Sequence, residues 1–219
     1  MGRMAKVTLM CVIALLVSTC VDRSHGQCPA GCTCQSTTQA TCVNSNVCPG
    51  TLAATYTTVS LTNSNNCGNQ IDRGAFSALT GLTSMRIADF SSYQVVMDHA
   101  FADTQLTTLT ITGTALQSFY PGSLGGLTKL TTLDLSSNAI SVLPDNLFQD
   151  LGQLTRLLLN HNKLAYLSDN IFAGLSKLTV LDLTNNSIGS CSPSAFPFNF
   201  AFLIYTLFQL RADHSYHYY

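Results

Sequence analysis

The chain has 219 residues, 10 Lys plus Arg against 11 acids (every one an aspartate), a formal net charge of −1, and 46% apolar but only 10% charged residues. Such a balance excludes the basic footprint of a nucleic-acid binder, while a surface of Thr, Ser and Asn suits an extracellular protein. With no Glu, no nucleophile elbow, no phosphate loop and no H-E-x-x-H, the sequence predicts neither an enzyme nor a cofactor, and His214 and His217 lack a third metal ligand nearby.

Residues 1–26 read as a secretory signal peptide. Arg3 and Lys6 make a positive start, Val7 to Val17 is an apolar run too short for a membrane span, and two cleavage sites come next. Ser18-Thr19-Cys20 is one, and Ser24-His25-Gly26 is the preferred one because Cys28 opens a cysteine motif immediately afterwards.

Residues 27–55 hold Cys28, Cys32, Cys34, Cys42 and Cys48, the first four spaced C-x3-C-x-C-x7-C. In an exported chain without nearby His these spacings favour disulfides over zinc. Sequence alone does not choose among the pairings of six cysteines. Cys48 and Cys67, which flank an irregular first repeat, are paired with each other as a hypothesis; that loop is worth about 3 kcal/mol in the chain-entropy model.

Residues 56–201 carry a beat of 24 residues. Leu130, Leu133, Leu135, Asn138, Ile140, Leu143 and Phe148 are repeated by Leu154, Leu157, Leu159, Asn162, Leu164, Leu167 and Phe172, then by Leu178, Leu181, Leu183, Asn186, Ile188, Cys191 and Phe196. The pattern L-x-x-L-x-L-x-x-N-x-L is the leucine-rich repeat. Six repeats start near residues 56, 82, 106, 130, 154 and 178, with Thr114 and Phe90 in the Asn slot of weaker ones and an insertion at residues 63–67. Each L-x-x-L-x-L stretch alternates as a strand with one buried face. The expected fold is therefore an α/β leucine-rich repeat solenoid, a curved right-handed superhelix with a parallel sheet on its concave face. Asn138, Asn162 and Asn186 are expected to form a structural ladder that satisfies the backbone of the bend. The phenylalanines at 76, 148 and 172 are expected to pack the convex side, and Cys191 to fill a buried leucine slot.

The same register places Ser84, Arg86, Ala88 and Asp89, then Thr108, Thr110 and Thr112, on the concave face. Thr132, Asp134, Ser136 and Ser137 come after them, then Arg156, Leu158, Asn160 and His161, then Val180, Asp182, Thr184 and Asn185. Arg86, Asp89, Asp134, Arg156, Leu158, Asn160, His161 and Asp182 are the candidate ligand-binding residues. Arg156, Leu158, Asn160 and His161 combine a cation, an apolar residue and two hydrogen-bonding groups, as binding hot spots do. Asp134 and Asp182 flank them as candidate partners of Arg156. Asn185-Asn186-Ser187 is the one glycosylation acceptor sequence in the chain.

Together the cysteine cap, the repeats and the leader resemble the extracellular leucine-rich repeat proteins, with phrases such as Leu154-Thr155-Arg156-Leu157 resembling the variable lymphocyte receptors and related invertebrate proteins. The resemblance spans about residues 28–190. It implies the pairings Cys28–Cys34 and Cys32–Cys42. It also implies a secreted or cell-surface recognition module, in innate immunity or cell adhesion, binding a protein or glycan. A matrix protein of the small proteoglycan type and a truncated receptor ectodomain are the alternatives. Such proteins close with a second cysteine cap, which this chain lacks: it has no Trp and no Cys after Cys191. Residues 195–210 are almost wholly apolar, and three readings of the tail at 202–219 stand open: an improvised seventh repeat, a truncated or spliced product, or contact with a membrane. Ligand identity and oligomeric state are not encoded in any motif.

Overall fold

A computed structural model describes residues 32–36, 38–43, 52, 55–62, 69–192 and 194–196. The leader, Cys28, Cys48, Cys67, the insertion at 63–67 and the tail lie outside the described residues, and with them the Cys48–Cys67 and Cys28–Cys34 pairings.

The strands in chain order are β1 (Cys32–Ser36), β2 (Gln39–Val43), β3 (Thr58–Thr62), β4 (Gln70–Ile71), β5 (Ser84–Ala88), β6 (Val95–Val96), β7 (Thr108–Thr112), β8 (Ser118–Phe119), β9 (Thr132–Asp134), β10 (Arg156–Leu158), β11 (Tyr166–Leu167), β12 (Val180–Asp182) and β13 (Ser190–Cys191). One sheet of eight strands runs β1-β2-β3-β5-β7-β9-β10-β12, and two small sheets, β4-β6-β8 and β11-β13, form a second wall of the coil. Only β1 and β2 pair antiparallel, with Cys32 opposite Cys42 and those two joined by a disulfide. Cys34 is disulfide-bonded as well. From β2 onward every pairing in the large sheet is parallel.

The leucine beat explains this order. β3 and β7 alternate half-buried and buried residues along their length, so one face of each strand joins the core. Leu133, Leu157 and Leu181 stand in one row of adjacent strands and are all buried, as are Leu130, Leu135, Ile140, Leu154, Leu159 and Leu164. Burying one such side chain stabilises by roughly 1.5–3 kcal/mol. Opposite the sheet, Phe148 stacks on Phe172 at 6.2 Å, Phe172 on Phe196 at 5.4 Å, and Phe76 on Phe101 at 5.2 Å.

The solenoid and parallel sheet of the expected class are present, but the described residues contain no helix. The far side is built of turns, and the backbone shows why. His99 and Asp103 both have positive φ (56° and 65°), as do Asn170 and Gly174 (55° and 89°). Left-handed residues four apart leave no room for a helical turn. Gly174 is obligatory there, since a Cβ would come within 2.4 Å of the Gln149 carbonyl oxygen.

Cys191 corrects an expectation. It pairs with buried Leu167 across β11 and β13, yet it is exposed and its thiol is free. β11 has β13 as its neighbour on that side, whereas β13 is the last strand of the small sheet among the described residues.

In the repeat that starts at residue 82 a stacked aromatic pair takes the place of the Asn. Phe90 stacks on Tyr93 at 4.8 Å and 10°, and both are fully buried. The Tyr93 hydroxyl has no hydrogen-bond partner. Burial first, then the Asp72 carboxylate, push it up to about 12.

Candidate binding face

The outward residues of the large sheet form a grid. The upper row reads Thr58, Ser84, Thr108, Thr132, Arg156 and Val180, and the next row Ser60, Arg86, Thr110, Asp134, Leu158 and Asp182. Below them, Thr62 and Thr112 flank Ala88, which is buried and offers nothing to a ligand. The N-terminal columns are thus a carpet of hydroxyls interrupted by the exposed Arg86.

The C-terminal columns differ chemically. Asp134 and Asp182 stand level with Leu158, while Arg156 stands level with Thr132 and Val180. The expected pairing of the aspartates with Arg156 is not made, and Arg156 forms no ion pair among the described residues. Each aspartate turns instead to its own chain. Asp134 Oδ1 accepts from Ser136 N at 3.0 Å, and Asp182 Oδ1 accepts from Thr184 N at 3.0 Å and Thr184 Oγ1 at 2.7 Å. Leu158 cannot cap Asn160 in this way, and Asn160 Oδ1 is buried without a partner.

Along the lower rim, five residues share one left-handed conformation: Asp89, Gly113, Ser137, His161 and Asn185, with φ from 55° to 63°. Short polar residues and glycine tolerate that region best. Gly113 is the one position where a Cβ would strike its neighbour, 2.6 Å from Asp89 Oδ1. His161 and Asn185 touch, with Asn185 Nδ2 3.1 Å from His161 Nε2. The structure therefore gathers Asp134, Arg156, Leu158, Asn160, His161 and Asp182 on three adjacent columns, and leaves Arg86 and Asp89 apart on β5 and its rim.

The asparagines hold the bend behind this face. Asn162 Oδ1 accepts from Ile140 N at 3.0 Å, while its Nδ2 donates to Leu135 O at 2.9 Å and Leu159 O at 3.0 Å. Asn186 repeats this with Leu164 N, Leu159 O and Leu183 O. Asn138 donates to Ile111 O and Leu135 O and accepts from Thr114 N and Thr114 Oγ1, where the ladder ends.

Sequence reasoning missed a second ladder at the strand entrances. Thr83, Thr107, Thr131, Thr155 and Thr179 each donate Oγ1 to the carbonyl oxygen of the threonine one turn earlier, at 2.9–3.1 Å. The signal was a threonine every 24 residues one place before each strand.

A family signature described as leucine rich repeat matches residues 104–164 and 153–197. No curated protein matches the chain. Among solved structures, human 5T4 (Wnt-activated inhibitory factor 1, trophoblast glycoprotein) is 21% identical, with a TM-score of 0.48 over 77% of this chain and 75% of that one. The fold is a leucine-rich repeat solenoid.

Proposed function

We propose that this chain is an exported recognition module that binds a protein ligand through the C-terminal columns of its concave sheet. Leucine-rich repeat domains generally mediate protein binding. The observation that carries the reading is the β9–β10–β12 patch: Arg156 reaches out unpaired, and Leu158 lies half-buried between two aspartates already held in place. Arginine and an apolar anchor ringed by polar groups are the usual makings of a hot spot, and fixed carboxylates lose little entropy when a partner engages them. A glycan ligand is the finer alternative. The hydroxyl carpet of β3, β5 and β7 supplies complementarity around the patch.

The test is a binding screen of the secreted chain against arrays of extracellular proteins and, separately, of glycans. Arg156→Ala with Leu158→Ser should weaken a protein hit at least tenfold, about 1.4 kcal/mol, while Thr108→Ala with Thr110→Ala leaves it within twofold. The reverse pattern, or a hit on glycans alone, would move the site or change the ligand class. Export is checked by the intact mass of the protein in the medium, expected to begin at Gln27.

A further inference from the structure

We infer that Asn185 carries an N-linked glycan that lies against His161 and closes the C-terminal flank of the concave face. The inference rests on the export reading, since the modification belongs to the secretory lumen. Asn185-Asn186-Ser187 presents two adjacent asparagines, and the structure gives them different roles. The Asn186 amide is consumed by Leu164 N, Leu159 O and Leu183 O. Asn185 is exposed and left-handed at φ 55°, and among the described residues its side chain hydrogen-bonds only to His161. Ser187, the third residue of the acceptor, is exposed too.

The geometry directs the sugar. Asn185 Nδ2 carries two hydrogens, and His161 Nε2 accepts one of them at 3.1 Å. Glycosylation replaces one of the two. A bond forms between Nδ2 and the anomeric carbon of a polyprenyl-diphosphate-linked oligosaccharide, the carbon–oxygen bond to diphosphate breaks, and the displaced proton leaves to the transferase. The first sugar then starts from the rim beside β12, next to His161. A ligand then approaches Arg156 and Leu158 across β7 and β9. The hydroxyl-rich columns become its landing side, and Asp182 becomes the far wall of the site.

The experiment expresses the full chain in secretory cells, alongside Asn185→Gln and Ser187→Ala. The second variant preserves Asn185 and its histidine contact, which keeps the test independent of any misfolding in the first. Leader removal is read by intact mass, and the glycan by the mass lost to a peptide N-glycosidase, which leaves aspartate at position 185. His161 is then probed with diethylpyrocarbonate, with His99, exposed on the other wall, as internal control. The expected result is one glycan on the wild type, none on either variant, and several-fold faster modification of His161 in Ser187→Ala with His99 unchanged. A processed chain without glycan overturns the inference and leaves export standing. An unprocessed chain overturns both. A glycan that leaves His161 reactivity unaltered, or that survives in both variants, overturns the placement.

Discussion

β3, β5 and β7 are each five residues long, whereas β9, β10 and β12 are three. All six belong to one parallel sheet with one leucine beat, so the core does not set the difference. The outward residues do. In β9 and β12 the third residue is Asp, and its carboxylate takes the backbone N–H two places on. The strand ends there because that donor is no longer available to a neighbouring strand. β10 has Leu158 instead and ends at the same level, where the Asn162 amide occupies Leu135 O on the neighbouring turn. Asn160 is left with a buried acceptor and no donor. The turns behind the face divide in the same way. Asparagine amides bridge consecutive turns from Asn138 to Asn186, while the stacked pair Phe90 and Tyr93 fills the earlier slot. One half is stitched by hydrogen bonds and the other is packed by aromatics, and the candidate site stands on the stitched half.

The difference can be broken at its two centres. Phe90→Asn introduces the residue type of the other half, but the aromatic volume it removes is fully buried, so a loss of about 3–5 kcal/mol is expected from thermal or urea unfolding. A near-neutral result would make the halves interchangeable. Asn162→Ala leaves the Ile140 N–H and the Leu135 and Leu159 carbonyls without its amide. Each carbonyl has a second lone pair, so the N–H dominates and a cost of about 1–3 kcal/mol is expected. Hydrogen exchange at Ile140 should quicken while that at Leu109 does not.

Tyr93 sharpens the contrast in the opposite direction. Its hydroxyl is buried without a partner, so Tyr93→Phe removes an uncompensated polar group and should stabilise by about 1–2 kcal/mol. The pH dependence has a definite sign. The folded-state value of about 12 lies above the ordinary 10.0, so the unfolded chain loses this proton first. The protonated hydroxyl's advantage is complete below pH 10 and is lost as pH rises towards 12, at no more than about 1.4 kcal/mol per unit. Tyr93→Phe should flatten that alkaline limb. Tyr56, also raised by burial, keeps a remnant of it in the variant.

Leucine spacing made the sheet legible, because a 24-residue period puts residues 133, 157 and 181 in one row without any structure. The same arithmetic puts 134, 158 and 182 together and 132, 156 and 180 together. The aspartates' level with Leu158 was therefore readable, and the attraction of opposite charges obscured it. Strand length was not readable, since it depends on whether a carboxylate competes with the sheet for one N–H. Nor was the exposure of Cys191, because a slot in the repeat is buried only where a neighbouring turn covers it. The convex turns were hidden too, because left-handed His99 and Asp103 carry no signal as strong as a glycine would.

The smallest effect tests what the halves share. Thr83→Val and Thr131→Val each delete one hydroxyl of the entrance ladder while keeping a β-branched side chain of similar volume. The carbonyl that loses its donor is not left bare in either case. Thr57 O still accepts from Thr83 N and Ser84 N at 2.8 and 3.1 Å, and Thr107 O from Thr131 N and Thr132 N at 2.9 and 3.1 Å. Because the acceptor stays satisfied and the hydroxyl is exposed, the loss should be below about 1 kcal/mol at both sites. The two variants should also agree within about 0.5 kcal/mol, the error expected for independent sites. A clear inequality in urea midpoints would mean that the stitched half leans on its threonines more than the packed half does. The strand entrances, and not only the turns, would then divide the molecule.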